Sequence, residues 1–473
     1  MTIKFGTDGW RGVIADDFTF DNVKLCSLGL SSYLKEVGLD KKGLVIGYDT
    51  RFLSREFGLA VAEVVSSNGI KVFLCDKPTP TPVVSYSIKS YEAGGAVIIT
   101  ASHNPYQWNG FKYKPEYAGS ASPEIISSLE QHIKQSEGYV HKYQKKTHVV
   151  SNTELVQVID AKRAYIEHVA KLIDVDAIKA AGFKVVADVM YGAGIGYISE
   201  IIAGGRTDIS EVHDYINPTF PDISQPEPIA HNLGYLSNHI KGNGYDVGLA
   251  LDGDADRFGL VDDKGDFITS LQVLALLTWY MLEIKGKTGA IVKSITSTSM
   301  IYKIAELYNV PVFETPVGFK YIGPKMMTEN ALIGGEESGG FGFRGHIPER
   351  DGILAALFIL EMMEKTGRKP SELIKDLEDL IGPHAYNRVD ISFSDDYRPV
   401  LEKRFLDMNP DTLGSSRISY IDDIDGKRFM LDDGSWLVIR FSGTEPLLRI
   451  YSESYSSTRV DSLIADARNI LGV

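Results

Sequence analysis

The chain has 473 residues, 44% apolar and 24% charged, a soluble globular balance that excludes collagen-like, coiled-coil and disordered classes. Its formal net charge of -14 argues against a general nucleic-acid or anionic-membrane surface, so phosphate would be bound only where Arg, Lys or backbone N–H groups gather locally. The two cysteines, Cys26 and Cys75, form neither a CxxC pair nor a zinc spacing and read as inert thiols of a reducing compartment.

The opening MTIKFGTDGWRG holds no apolar signal-peptide core, and the expected location is the cytoplasm. At about 150 residues per domain the length predicts roughly three units. A β-branched run, a helical stretch, a second run, a second helical stretch and a third run ending in a polar loop occur three times. First strands are expected at Leu44–Gly47, Lys184–Asp188 and Ala290–Lys293, and third strands at Ala96–Thr100, Asp246–Leu251 and Ala331–Ile333. Alternation of this kind predicts α/β layers with largely parallel sheets, and ligands gather beyond the carboxyl ends of such strands. The stretch from about Asp390 to Val473 breaks the pattern and predicts a smaller fourth domain. The expected domains are 1–150, 151–258, 259–382 and 383–473.

The first closing loop, TASHNPYQWNGFK, carries Ser102. A hydroxyl at a strand end is a nucleophile once a base and an electrophile reach it, and Pro105 and Gly110 keep the segment out of a helix. No G-x-S-x-G elbow surrounds it, and on an extended chain His103 would point away from the Ser102 hydroxyl. Taken alone, the loop reads as a turn serine capping backbone donors. The run KVVADV leads to Gly192, Gly194 and Gly196, whose spacing misses the dinucleotide fingerprint and predicts close packing or a turn.

The second loop, DGDADRF, alternates Asp252, Asp254 and Asp256 with small residues. Three adjacent carboxylates repel one another unless a cation neutralises them, and an all-oxygen set suits Mg²⁺ or Ca²⁺. An EF-hand would need Gly where Arg257 stands and Glu where Asp263 stands, so that reading fails; a solvated acidic turn is the alternative. Arg257 suits a phosphoryl oxygen. The most apolar stretch, Leu271–Ile284, is too short for a bilayer span and is interrupted by Gln272 and Thr278.

The third loop, GGEESGGFG, sets Glu336, Glu337 and Ser338 among glycines, where carboxylate and hydroxyl could grip sugar hydroxyls; a flexible acidic loop is the alternative. In the tail, Arg440 and Arg449 flank Ser442, Gly443 and Thr444, a plausible phosphate clamp or else a hairpin with solvated arginines.

Together the four loops resemble the α-D-phosphohexomutase superfamily of phosphoglucomutases, phosphomannomutases and phosphoglucosamine mutases. The resemblance runs from FGTDGWRG at Phe5–Gly12 to RFSGTEPLLRIY at Arg440–Tyr451, and TASHNP followed by DGDADR is its most specific part. It implies three similar α/β domains and a smaller α+β C-terminal domain around a central cleft. It also implies a phosphoserine at Ser102, Mg²⁺ held by Asp252, Asp254, Asp256 and a Ser102 phosphate oxygen, and a hexose 1,6-bisphosphate as intermediate and activator. Arg11, His103 and Lys112 would surround the reacting oxygens, with Lys112 moving the proton. Glu336 and Ser338 would hold sugar hydroxyls, Lys293 would be a basic active-site residue, and Arg440, Ser442, Gly443, Thr444 and Arg449 would bind the phosphate not being transferred. PVGFKYIG, with Lys320, and HIPERDG, with His346, are similar to the glucomutase branch, while Gly340 stands where many bacterial mannomutases have histidine. The expected activity is interconversion of hexose 1- and 6-phosphates, leaning to glucose. Phosphomannomutase and dual specificity are the alternatives, with phosphoglucosamine mutase, a metal-dependent phosphatase and a sugar-phosphate sensor behind them. The expected partner is a phosphorylated hexose, without nucleic acid or membrane, bound by a monomer or homodimer.

Overall fold

The computed structural model describes residues 3–6, 8–138, 153–441 and 447–473, whose strands form four sheets. In the first, Leu44–Tyr48, Val72–Cys75 and Gly95–Ile99 run parallel in the spatial order third, first, second, and Trp108–Pro115 returns antiparallel beside the third. The second sheet repeats this order with Lys184–Asp188, Asp208–Val212, Val247–Leu251 and the returning Phe258–Val261. The third repeats it with Ile291–Ser294, Val312–Thr315, Ile333–Gly335 and Phe341–Phe343. Each sheet is therefore mixed rather than wholly parallel. GAVII and VGLAL are buried at every position, as strands covered on both faces require.

The turn from third to fourth strand is the same topological place in each unit. It carries Ser102 in the first, the aspartate triplet in the second, and Glu336 and Ser338 in the third. Two expected divisions fall short of the sheets they should enclose. Val156–Ile159 lies beyond residue 150, yet pairs in parallel with Val72–Cys75 and completes the first sheet. The hairpin Phe258–Val261 and Phe267–Ile268 belongs to the second sheet, so a cut at 258/259 splits a strand pair. In both cases a polar stretch suggested an ending, while the sheet still needed a strand to cover its edge.

One continuous core draws side chains from the first three sheets, among them Val45 and Ile98, Val185 and Leu249, and Ile291 and Ile333. At its centre lies the helix Gly352–Thr366, with twelve of its fifteen residues buried. A helix apolar on all sides belongs inside, and each large side chain it buries contributes about 1.5–3 kcal/mol. Asp351 caps this helix by accepting from Leu354 N, which fixes the preceding Glu349 and Arg350 in space. The stretch from Leu271 to Ile284 is a buried helix, Ser270–Trp279, continued by the π-helical turn Tyr280–Ile284. Among the described residues no helix is long and apolar enough to cross a membrane.

The fourth unit is a six-stranded antiparallel sheet with helices Arg398–Asp407 and Ser457–Leu471 and its own core around Leu437, Ile450 and Leu463. It meets the third unit through a small apolar patch of Ile295, Trp436, Val438 and Tyr451. Beside that patch, Arg428 grips Glu314 in bidentate fashion at 2.6 and 2.7 Å, and Glu453 accepts from Thr298 and Ser299.

Candidate active site

Strand Gly95–Ile99 delivers the chain to Ser102, which takes φ +51° in the left-handed region, a strained conformation for a residue with a β-carbon. What holds it there is Arg51. Its fully buried guanidinium donates to the carbonyls of Ser102 and Asn104 at 2.6 Å, Pro105 at 2.9 Å and Trp108 at 3.1 Å, with Asp49 as counter-ion. Four carbonyls of one loop are thus satisfied by one planar cation, which fixes the loop's shape. The left-handed turn also corrects the expectation for His103: the chain is not extended there, and His103 Nδ1 lies 3.4 Å from Ser102 Oγ.

The Ser102 hydroxyl, on a residue only 1% exposed, donates to Asp252 Oδ2 at 2.8 Å, so the loops of the first two units touch. Asp254 Oδ2 accepts from Thr81 Oγ1 at 2.6 Å and from Lys112 Nζ at 2.8 Å. Asp256 Oδ2 faces Arg350 at 2.8 Å and Lys112 at 3.4 Å. One carboxylate oxygen from each of the three aspartates lies within 4.8 Å of the others, and Asp254 Oδ1 and Asp256 Oδ1 are buried without a hydrogen-bond partner. Buried orphan oxygens converging in an all-carboxylate set fit a hard divalent cation, which would satisfy them and neutralise the cluster.

The charges are strongly interdependent. Burial, then repulsion from Asp254 and Asp256, pushes the Asp252 carboxyl well above the usual range. Burial works in the same direction on Asp254, but Lys112 together with the hydrogen bonds of Thr81 and Asp252 outweighs it, and the net shift is downward. Lys112 is itself held charged: burial opposes the ammonium, while Asp254, Asp8 and Asp256 prevail and raise its pKa. His103 goes the other way, lowered well below its ordinary value by burial and by Arg257, Arg11, Arg51 and Lys112. The site therefore presents a neutral imidazole beside the serine and a charged ammonium beside the triplet.

Arg11, on strand Trp10–Val13, reaches the serine loop through Asn104 Oδ1 at 2.6 Å. Arg257 donates its backbone N–H to Asp252 and pairs with Glu227 at 2.5 Å, and His103 Nε2 lies 4.0 Å from that same glutamate oxygen. Glu336 accepts from Ser338 Oγ at 2.8 Å and faces Arg350 at 3.3 Å; burial raises its pKa against the pull of Arg350. Lys320, in the first turn of helix Phe319–Glu329, is half-buried within the fields of Asp425 and Asp8. Arg440 and Arg449 stand directly opposite each other on adjacent antiparallel strands. Like charges so placed repel, and Asp425 at 3.1 Å from one and Asp390 at 3.6 Å from the other offset them. Ser442, Gly443 and Thr444 lie outside the described residues.

Two expected site residues are engaged by other partners. Lys293 is 1% exposed and pairs with Glu314 at 2.9 Å beside the seam with the fourth unit. The side chain of His346 is fully buried, bonded to Asp351 at 2.9 Å and stacked on His168 with ring centroids 5.1 Å apart. It supports the helix cap that Tyr165 also bonds, so it is part of the core. Conversely, Asp8, Arg51, Glu227 and Arg350 belong to the site and were not anticipated. Asp8 takes Lys112 and Lys114 at 2.8 Å each and Arg350 at 2.7 Å. The signals were available: Arg51 follows the first predicted strand, Asp8 lies in FGTDGWRG, and Arg350 in HIPERDG.

Comparisons with known proteins agree with this geometry. Models of the phosphoglucomutase/phosphomannomutase alpha/beta/alpha domains I, II and III match residues 2–139, 163–265 and 269–380, and the C-terminal domain matches 397–470. A phosphoglucomutase/phosphomannomutase of Thermococcus kodakarensis is 30% identical over 96% of this chain and 95% of its own. A phosphoglucomutase of Komagataeibacter xylinus is 28% identical over 96% and 88%, and a phosphoglucosamine mutase of Limosilactobacillus reuteri is 28% identical over 96% and 95%. A crystal structure of a candidate phosphomannomutase from Thermus thermophilus is similar over 100% of both chains, with 31% identity and a TM-score of 0.87. With all four domains matched in order and the serine and aspartate loops joined, the chain belongs to the phosphoglucomutase/phosphomannomutase family of phosphohexomutase enzymes.

Proposed function

We propose that this enzyme interconverts hexose 1-phosphate and hexose 6-phosphate, with glucose phosphates preferred, by passing the phosphoryl group through Ser102. The observation that carries the reading is the 2.8 Å bond from Ser102 Oγ to Asp252 Oδ2, which sets a nucleophile of one unit on the carboxylate cluster of the next. When bound at Asp252, Asp254 and Asp256, Mg²⁺ supplies charge neutralisation for the transferring group.

Starting from phosphorylated Ser102, a sugar hydroxyl attacks phosphorus, the bond from phosphorus to Ser102 Oγ breaks, and a hexose 1,6-bisphosphate forms. The hydroxyl proton needs an acceptor and the released serine oxygen a donor. His103, neutral and with Nδ1 3.4 Å from Ser102 Oγ, would carry the proton between the attacking hydroxyl and the serine oxygen, while charged Lys112 would offset the negative charge of the transferring group. After the bisphosphate turns around, the same steps in reverse return the other phosphoryl group to Ser102. Arg440 and Arg449 would hold whichever phosphate is idle, and Glu336 with Ser338 would hold sugar hydroxyls. Transfer over hydrolysis is supported by Glu336 with Ser338 and by Arg440 with Arg449, groups that hydrolysis of a phosphoserine would not need.

Glucose is supported by Gly340 in place of histidine and by the glucomutase-like HIPERDG and PVGFKYIG segments. The deciding assay follows glucose 1-phosphate, mannose 1-phosphate and glucosamine 1-phosphate side by side, with Mg²⁺ and a trace of the matching 1,6-bisphosphate. The highest kcat/KM is expected for glucose 1-phosphate. A higher value for either competitor would overturn the sugar assignment, and turnover of none of the three would overturn the mutase reading.

A further inference from the structure

Gly340 in the sugar loop is glycine for reasons of space. Its φ lies outside the left-handed region, so the backbone itself would accept another residue. A β-carbon there would lie 2.3 Å from Arg350 Cδ and 2.7 Å from Arg350 Cγ, well inside contact distance. Those are mid-chain atoms, and the head beyond them is pinned. Nη2 is 2.7 Å from Asp8 and 2.8 Å from Asp256, Nη1 is 3.3 Å from Glu336, and Nε is 3.2 Å from Glu349. The stem cannot swing aside without breaking several charge-assisted contacts in a buried place.

We infer that Arg350 is a positioning residue for sugar recognition: its stem takes the space above the sugar loop that a side chain at 340 would occupy, and its guanidinium holds Glu336 at a fixed spacing from Asp256. The sugar-facing carboxylate and the triplet are thereby set by one rigid group, and Gly340 and Arg350 form a matched pair. A larger residue at 340 requires a shorter one at 350. The inference rests on the sugar-phosphate reading above for its functional half and on packing alone for the other.

Each half has its own measurement. In a thermal-denaturation cycle on the full chain, Gly340→Ala alone should lower Tm by about 2 °C or more, and by less than about half that amount in an Arg350→Ser background. An equal drop in both backgrounds would overturn the pairing, whether or not any hexose phosphate is turned over. The second measurement uses Arg350→Lys, whose single ammonium can reach the Asp8 and Asp256 side but not Glu336 as well. KM for glucose 1-phosphate should rise about tenfold while kcat falls less than about threefold. An unchanged KM would overturn the positioning role. If the wild-type enzyme turns over no hexose phosphate at all, the functional reading fails while the thermal cycle still decides the pairing.

Discussion

Ser102→Ala should lower turnover of the preferred hexose phosphate by at least about 10⁴-fold, because no other group can carry the phosphoryl group between half-reactions. The other hydroxyls of this loop are not so placed: Thr100 Oγ1 accepts from the Ser102 backbone N–H, and Tyr106 is exposed, whereas Ser102 alone among them bonds Asp252. The fold should tolerate the change. The substitution removes the hydrogen bond to Asp252 and the longer one with His103, at a cost of about 1–2 kcal/mol, and Arg51 still grips the four loop carbonyls. Thermal denaturation should therefore show a shift of only about 1–2 °C. Residual activity within tenfold of wild type would mean that the phosphoryl group travels by another route.

The second large effect is expected at the triplet. Asp252→Asn should lower kcat by about 10³-fold, since the amide replaces an oxygen that accepts the Ser102 hydroxyl and stands ready to hold a cation. Its stability effect has the opposite sign. Without metal, three buried carboxylates crowd within 4.8 Å, and repulsion among them contributes to the raised pKa of Asp252. Removing one relieves that repulsion, so the metal-free variant should melt no lower than the metal-free wild type. Mg²⁺ should raise the wild-type Tm by mass action and leave the variant nearly unmoved. An equal Mg²⁺-induced rise in both proteins would place the cation elsewhere.

The serine and aspartate loops were legible because reactive side chains followed runs that are apolar at every position, and such runs in an α/β pattern end where ligands gather. The sugar loop follows only the short strand Ile333–Gly335 and was placed by its repeat position. What sequence alone could not give was the partner of each buried charge. Asp8 and Arg350 lie 342 positions apart and meet at 2.7 Å, and neither differs in the sequence from a solvated ion. Arg51 was missed for the same reason, since its partners are backbone carbonyls of a loop about fifty positions away. His346 was misplaced because its motif, HIPERDG, was taken as one functional unit. The chain enters the central helix there and sends Arg350 to the site but His346 into the core. Lys293 was placed by analogy of position, and its side chain pairs with Glu314 beside the domain seam. The left-handed Ser102 also had no sequence signal, because a serine in that conformation is held by tertiary contacts rather than by its own preference.

The central claim, that Ser102 is a reloadable phosphoryl carrier, is tested most directly by intact-mass measurement of the full chain with Mg²⁺. Incubation with glucose 1,6-bisphosphate should add one phosphoryl group, glucose 6-phosphate should then remove it, and Ser102→Ala should gain none. A wild-type protein that takes up no phosphoryl group, or a Ser102→Ala variant that takes up and releases one as wild type does, would contradict it.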